Sequence, residues 1–335
     1  MRLQLTENWV DKTRFLMRIF LIFFLVFLFN TGFSQATKKI YYVDYGIGKI
    51  QKANLDGSDI EDLVTGIFDP YGLALDIAGG KMYWTLAAGP DKIQRSNLDG
   101  SDIEDIVTGL STPEAIALDL TNGKLYWTDR GTDKIQRSNL DGSDIEDIVT
   151  GAASTSSYGI ALDIPAGKIY WTNVVAGMGD KIQRANLDGT DIEDLVTMGL
   201  SIPLGIALDI PNGKMYWTDE GTEKIQRANL DGTDVEDIIT DPTHFGVPTG
   251  FILDLDERKM YWTDEDDELI RRANMDGSDI EVIIGMGLDE PKGIALFCEE
   301  PSIAIPTLSE WGLIFLFLFL SILAVLEVRE KSIKA

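Results

Sequence analysis

"KMYWTDEGTEKIQRANLDGTDVEDI", Lys214 to Ile238, reads as two strands joined by a short turn and followed by a third, and it holds no obvious catalytic group. In KMYWTD large residues alternate with Tyr and Thr, and KIQRANL is a second run of period two, the spacing that sends successive side chains to opposite faces of a strand. Nearly the same text occurs six times. Its aromatic tetrad stands at Tyr41-Tyr42-Val43-Asp44, Tyr83-Trp84-Thr85-Leu86, Tyr126-Trp127-Thr128-Asp129, Tyr170-Trp171-Thr172-Asn173, Tyr216-Trp217-Thr218-Asp219 and Tyr261-Trp262-Thr263-Asp264. Successive first tyrosines are 42, 43, 44, 46 and 45 residues apart, a period that suits a four-stranded unit.

An Asp-Gly pair follows the second run in every copy, at Asp56-Gly57, Asp99-Gly100, Asp141-Gly142, Asp188-Gly189, Asp231-Gly232 and Asp276-Gly277. Asp-Gly supplies the positive φ values of a tight hairpin turn, so DIEDIVT should fold back antiparallel. A fourth strand of the GIALD type comes next, usually after a loop with Pro, and NGK or AGK returns the chain to the next aromatic strand. Four antiparallel strands per unit make a propeller blade, so the expected fold is all-β, a six-bladed β-propeller.

The YWTD tetrad, the IQRANLDG and IQRSNLDG runs and GIALD after Pro together resemble LDL-receptor class B repeats, which form six-bladed propellers in lipoprotein receptors, Wnt co-receptors and nidogen. The resemblance covers residues 38 to 299; Val43, Leu86 and Asn173 depart from the tetrad in the first, second and fourth copies. It implies a ring closed by its own ends. The chain enters the first blade at IYYVD with no GIALD strand before it, and KGIALF (Lys292 to Phe297) has no aromatic strand after it. Residues 293–297 are therefore expected to become the innermost strand of the first blade, which removes the open edges of the array. The resemblance also implies that Trp84, Trp127, Trp171, Trp217 and Trp262 pack between blades. It further implies that Asp129, Asp219 and Asp264, with Arg95, Arg137, Arg184, Arg227 and Arg272, supply charged pairs that tie blades together.

Five segments are expected: a signal peptide over 1–36, the propeller over 37–300, a linker and sorting motif over 301–312, a membrane segment over 313–328 and a basic tail over 329–335. In the first, Arg14 and Arg18 precede IFLIFFLVFLF (Ile19 to Phe29), and Ser34 and Ala36 occupy the positions a signal peptidase reads. Met17 opens a shorter signal of ordinary form. Near the other end IPTLSEWG (Ile305 to Gly312) resembles the bacterial IPTL-type C-terminal sorting signal, carried by Pro306, Thr307, Leu308, Glu310, Trp311 and Gly312. An apolar run from Leu313 to Leu326, broken only by Ser321, and then Arg329, Lys331 and Lys334 complete that pattern. Both apolar terminal segments are expected to be helical. The sorting signal implies export, a membrane tether through the C-terminal segment and a sorting or processing enzyme as a partner, with the outer membrane, cell surface or extracellular space as destination.

Between residues 37 and 300 stand 22 basic and 50 acidic residues, a charge of −28, which repels nucleic acid and favours cations or basic partners. Cys298 is the sole cysteine, so packing and hydrogen bonds must hold a monomeric ring. His244 is the sole histidine, which leaves no set for histidine catalysis or a zinc site. No cofactor is expected. Calcium would need about six to eight oxygens converging on one point. Strand alternation spreads the acids of LDGSDIED, and Asp76, Asp119, Asp163, Asp209 and Asp254 suit Asx turns, although a ring of them near one channel mouth could hold a cation such as calcium.

Where the copies agree, in the NLDGSD, NLDGTD and GK turns, ring geometry is served, and those turns share one face. The other face carries IFDPYG, LSTPEA, AASTSSYG, LSIPLG, DPTHFGVPTG and GLDEPKG together with LAAGPD, DRGTD, NVVAGMGD, DEGTE and DEDDE, which vary in length and chemistry. Candidate binding residues there are Tyr71, Glu114, Tyr158 and Phe245, surrounded by Asp129, Asp219, Glu220, Asp266 and Asp267. Aromatic anchors inside an acidic rim suit a protein or peptide ligand. Two other functions remain open: a calcium-dependent lactonase or strictosidine-synthase-like hydrolase, and a structural repeat of a surface layer or matrix. The first needs acid and amide groups pointing inward, whereas Gly-Ile-Ala-Leu is apolar.

Overall fold

The strand Lys214–Asp219 is buried at every residue after its lysine, because each blade is covered on both sides by its neighbours. Its alternation separates two buried faces. Met215 and Trp217 pack on Tyr170, Ile182 and Val196 of the preceding unit, while Tyr216 joins Phe251, Met260 and Trp262 of the following one. The five tetrad tryptophans are at most 1% exposed, each in a cluster shared between adjacent units. Spokes of hydrogen bonds run outward from three of them. Trp84 Nε1 donates to Gln94 Oε1 at 3.2 Å, and Gln94 Nε2 donates to Asp105 of the outer strand at 2.7 Å; Trp127 and Trp217 bond Gln136 and Gln226 in the same way.

This computed structural model describes residues 38–150, 155–175, 179–240, 246–298 and 320. Their strands form six four-stranded antiparallel sheets, an all-β six-bladed propeller. Blades two to six follow chain order, beginning at the inner strands Pro70–Asp76, Pro113–Asp119, Thr155–Asp163, Pro203–Asp209 and Pro248–Asp254. Blade one is completed from the far end of the chain: Pro291–Cys298 pairs antiparallel with Lys38–Asp44, with Tyr42 opposite Ile294 and Lys39 opposite Phe297. The closing strand is longer than the expected 293–297 because pairing extends to Pro291 and Cys298. Lys38 Nζ reinforces the join at 2.7 Å from Asp254 of blade six. The segments expected to be a signal peptide, a linker with sorting motif, a membrane segment and a basic tail lie, apart from Leu320, outside the described residues. No helix among the described residues is long and apolar enough to cross a membrane.

Two expectations change in detail. The Asp-Gly turn is wider than a two-residue hairpin: its positive φ values fall on Gly57 (79°) and Asp59 (54°), not Asp56, and the strands end at Asn54 and resume at Glu61. Gly57 is needed for a second reason, since a Cβ there would lie 1.9 Å from the carbonyl oxygen of Ile283 in the adjacent blade. The repeated arginines do not pair with the tetrad aspartates. Arg95 sits 2.7 Å from Glu104 on the outer strand of its own blade and 5.8 Å over the Tyr83 ring. Its Nη1 ties blades by donating to the Leu140 carbonyl at 3.0 Å, and Arg137, Arg184 and Arg272 reach Leu187, Leu230 and Leu55 likewise. On that face Asp76, Asp119, Asp163, Asp209 and Asp254 each accept a backbone N–H of their turn, as Asx turns do.

Candidate functional site

At the opposite face the tetrad builds the rim of the axial channel. Its aspartates are internal staples: Asp129 Oδ2 accepts from Ser111 N at 3.0 Å, Asp219 Oδ2 from Ser201 N at 2.9 Å and Asp264 Oδ2 from Gly246 N at 3.0 Å. Each clips the loop entering an inner strand to the loop leaving the aromatic strand. Asp129 and Asp219 are at most 1% exposed, so these two candidate binding residues hold the rim and do not face a ligand. Backbone bonds finish the clip, Arg130 N to Thr112 O at 3.1 Å and Glu220 N to Ile202 O at 3.0 Å. The clipped loops hold Asp69, Thr112, Ile202 and Glu290, each just before a proline, at φ between 47° and 64°. For the β-branched Thr112 and Ile202 this conformation costs on the order of 1–3 kcal/mol.

The tetrad threonine sets the next position. Thr85 Oγ1 accepts from Gly72 N at 2.8 Å in its own blade and donates to the Glu114 carbonyl at 2.6 Å in the next. Thr128, Thr172 and Thr263 fasten the carbonyls of Tyr158, Leu204 and Lys292. The residue so fixed is the second of the inner strand, or its equivalent in blade four. Around the ring that position reads Tyr71, Glu114, Tyr158, Leu204, Thr249 and Lys292, with Tyr71 following the one tetrad that has a valine, Val43, in place of the threonine. One layer deeper come Leu73, Ile116, Ile160, Ile206, Phe251 and Ile294, all apolar. The residue after each tetrad adds a second ring: Tyr45, Ala87, Arg130, Val174, Glu220 and Glu265.

Every member of both rings except Val174, together with Glu290, lines a cavity of about 290 Å³ at the channel mouth. Tyr71, Tyr158, Leu204, Thr249 and Lys292 also line a cavity of about 400 Å³ beneath, whose other walls are apolar side chains and glycines. Glu114 is only 2% exposed. Its Oε1 lies 2.7 Å from Arg130 Nε, and the Arg130 guanidinium stands 5.6 Å over the Tyr158 ring. Lys292 forms an ion pair with Glu265 and sits 5.4 Å from the ring centres of both Tyr45 and Tyr71. Burial pushes the Glu114 carboxyl up to about 8 against the pull of Arg130 and Lys292. It also raises Tyr71 well above its ordinary value, with the Glu114 charge adding to the effect, and raises Glu220 with help from Glu265 and Asp266.

Sequence reasoning thus placed Tyr71, Glu114, Tyr158 and Glu220 at one mouth. Asp266 is exposed on the same face, Asp267 is paired with Arg271 at 2.6 Å, and Phe245 lies outside the described residues. It missed Leu204, Thr249 and Lys292, with Tyr45, Arg130 and Glu265. The signal lay in the text: comparing the residue after the loop Pro, and the residue after each tetrad, picks out both rings.

Among the described residues no three His, Cys, Asp or Glu side chains are grouped so as to hold a metal. The acidic turns close on themselves, Asp56 Oδ1 accepting from Ser58 N at 3.0 Å and from its Oγ at 2.6 Å. Chelation with EDTA is expected to leave the melting temperature within about two degrees, because a filled structural site would add several kcal/mol by linkage. A large drop reversed by calcium would show that such a site exists.

Comparison with known proteins matches this geometry. No curated protein matches the chain. Among solved structures it is similar to a chain in a nidogen/laminin complex, at 23% identity and a TM-score of 0.69 over 77% of this chain and 98% of that one. It is also similar to a structural genomics protein of unknown function from Bacteroides thetaiotaomicron VPI-5482, at 14% identity and a TM-score of 0.58 over 80% of this chain and 68% of that one. A putative 6-phosphogluconolactonase from Bacteroides fragilis NCTC 9343 is 10% identical, with a TM-score of 0.57 over 79% of this chain and 99% of that one. At these identities the likeness is one of fold. The IPTL-CTERM motif matches residues 303–329. The low-density lipoprotein receptor repeat class B matches 123–164, 167–210, 213–255 and 258–298, blades three to six without the two whose tetrads read YYVD and YWTL. With more than half of its length so matched, and with tetrads that do the same structural work around the ring, the chain belongs to the low-density lipoprotein receptor class B repeat family.

Proposed function

We propose that this protein is an exported, surface-associated binding module that takes a protein or peptide ligand at the acidic mouth of its propeller. The observation that carries this reading is the contrast around the ring. Tetrads, Asp-Gly turns and the deeper inner-strand layer repeat with little change, while the two rings at the mouth differ from blade to blade. Chemistry varied on a rigid frame is the arrangement of a recognition surface. The solved nidogen/laminin complex supports a protein ligand, and the C-terminal motif supports sorting to the cell surface with a processing enzyme as a second partner. The apolar layer below the mouth offers no acid or amide constellation for a lactonase, and likeness to a lactonase fold supplies none.

The test is capture of surface proteins from the cells of origin by the full chain, compared with a Tyr71→Ala, Tyr158→Ala double variant. Loss of about 2 kcal/mol or more of binding with an unchanged melt is expected, since aromatic anchors commonly carry that much. Capture that survives this change and fails when the Asp-Gly face is altered would place the site on the other side.

A further inference from the structure

We propose that Glu114 is the specificity-determining residue of the mouth and that its inward carboxylate takes a primary ammonium group, the tip of a lysine side chain on the partner. This rests on the reading of the mouth as the binding surface and names the chemistry it selects.

Glu114 Oε2 is buried and accepts no hydrogen bond among the described residues, yet its side chain lines the mouth cavity. An ionised carboxylate oxygen removed from water without a donor is costly, so the ionised site is incomplete without a donor from outside. The cations of the mouth do not complete it. Arg130 is committed to the other oxygen of Glu114 and to the Tyr158 ring, and Lys292 to Glu265 and two tyrosine rings. With Glu114 ionised, four carboxylates, Glu114, Glu220, Glu265 and Glu290, therefore face two paired cations in one cavity. A neutral amide would satisfy Oε2 and leave that charge uncompensated. A guanidinium is a wide planar fork, whereas an ammonium is a compact donor on a flexible stem. Leu204, Tyr71 and Tyr158 offer apolar walls to the methylenes of that stem.

The occupant should be linked to protons. Glu114 faces Tyr71 and Tyr158 from the flanking inner strands, Arg130 from its own blade and Lys292 from the closing strand, with Glu220, Glu265 and Glu290 around the same cavity. With its carboxyl held up to about 8, the empty mouth carries a protonated Glu114 below that pH, and an ammonium binds the ionised form. Affinity therefore rises about tenfold per pH unit towards 8, then levels until a lysine amine loses its own proton near 10.4.

Calorimetric titration of the full-length chain in detergent with Nα-acetyl-lysine N-methylamide tests this, beside its norleucine, asparagine and arginine counterparts. Binding of the lysine probe is expected to be about 100-fold tighter at pH 9 than at pH 6, with about one proton released at the lower pH. Glu114→Gln is expected to weaken it at least tenfold at pH 9 and to flatten its pH profile, with the melt preserved. Equal or tighter binding of any counterpart, a pH profile unchanged in Glu114→Gln, or no heat up to about 50 mM lysine probe would overturn the assignment. If it fails while the double tyrosine variant still loses partner capture, the mouth remains the binding surface and only the ammonium is wrong; if both fail, the site lies elsewhere.

Discussion

Deleting Pro291 to Cys298 is expected to abolish the cooperative melt of the propeller or to drive the chain into assemblies. The deletion leaves blade one with three strands and exposes the row of backbone groups on Lys38–Asp44 that now pairs with the closing strand. An unpaired inner edge is a template for another chain. The loss extends further, because Thr263 would lack the Lys292 carbonyl that links blade six to blade one. Thermal melting followed by circular dichroism and size-exclusion chromatography reads the result. A monomeric deletion variant with a single sharp transition would show that closure is not what holds the ring.

Trp217→Ala is expected to cost about 3–5 kcal/mol, the range for removing a large aromatic side chain from a packed core. Trp217 is fully buried between blades four and five, and its loss also strands Gln226 Oε1, which now accepts from the indole at 3.1 Å. For a ring of this size the melting temperature should fall by roughly ten degrees. Trp217→Phe should recover more than half of that, since it restores most of the apolar contact and only the hydrogen bond stays missing. A Trp217→Ala protein melting within about two degrees of the parent would refute inter-blade packing as the main support.

The fold was legible because six near-identical units leave few ways to arrange themselves, and because the missing strand before IYYVD matched the surplus one at KGIALF. The tetrad tryptophans were legible for the same reason, as bulk recurring where blades must meet. The tetrad aspartates were read in two ways, as charged pairs that tie blades together and as rim carboxylates; Asp129 and Asp219 are neither, and Asp264 pairs with an arginine of its own blade. A carboxylate that accepts backbone N–H groups looks in sequence like one that faces a cation, and only the approach of two loops distant in the chain tells them apart. Lys292 was hidden for a similar reason. In EPKG it reads as a loop lysine, and its place between Tyr45 and Tyr71 depends on ring closure bringing residues over two hundred positions apart together. Arg271, which stands where other blades have glutamine, pairs with Asp264 at 2.9 Å and Asp267 at 2.6 Å.

The tetrad threonine grips the next blade by a main-chain carbonyl, and every amino acid has one. The frame is therefore indifferent to which side chain stands at Glu114, Tyr158, Leu204 or Lys292, so long as the strand keeps its path. Evolvability follows from that indifference. With the mouth as the proposed binding surface, single replacements there would re-aim the propeller at a new target while the joints between blades go untouched.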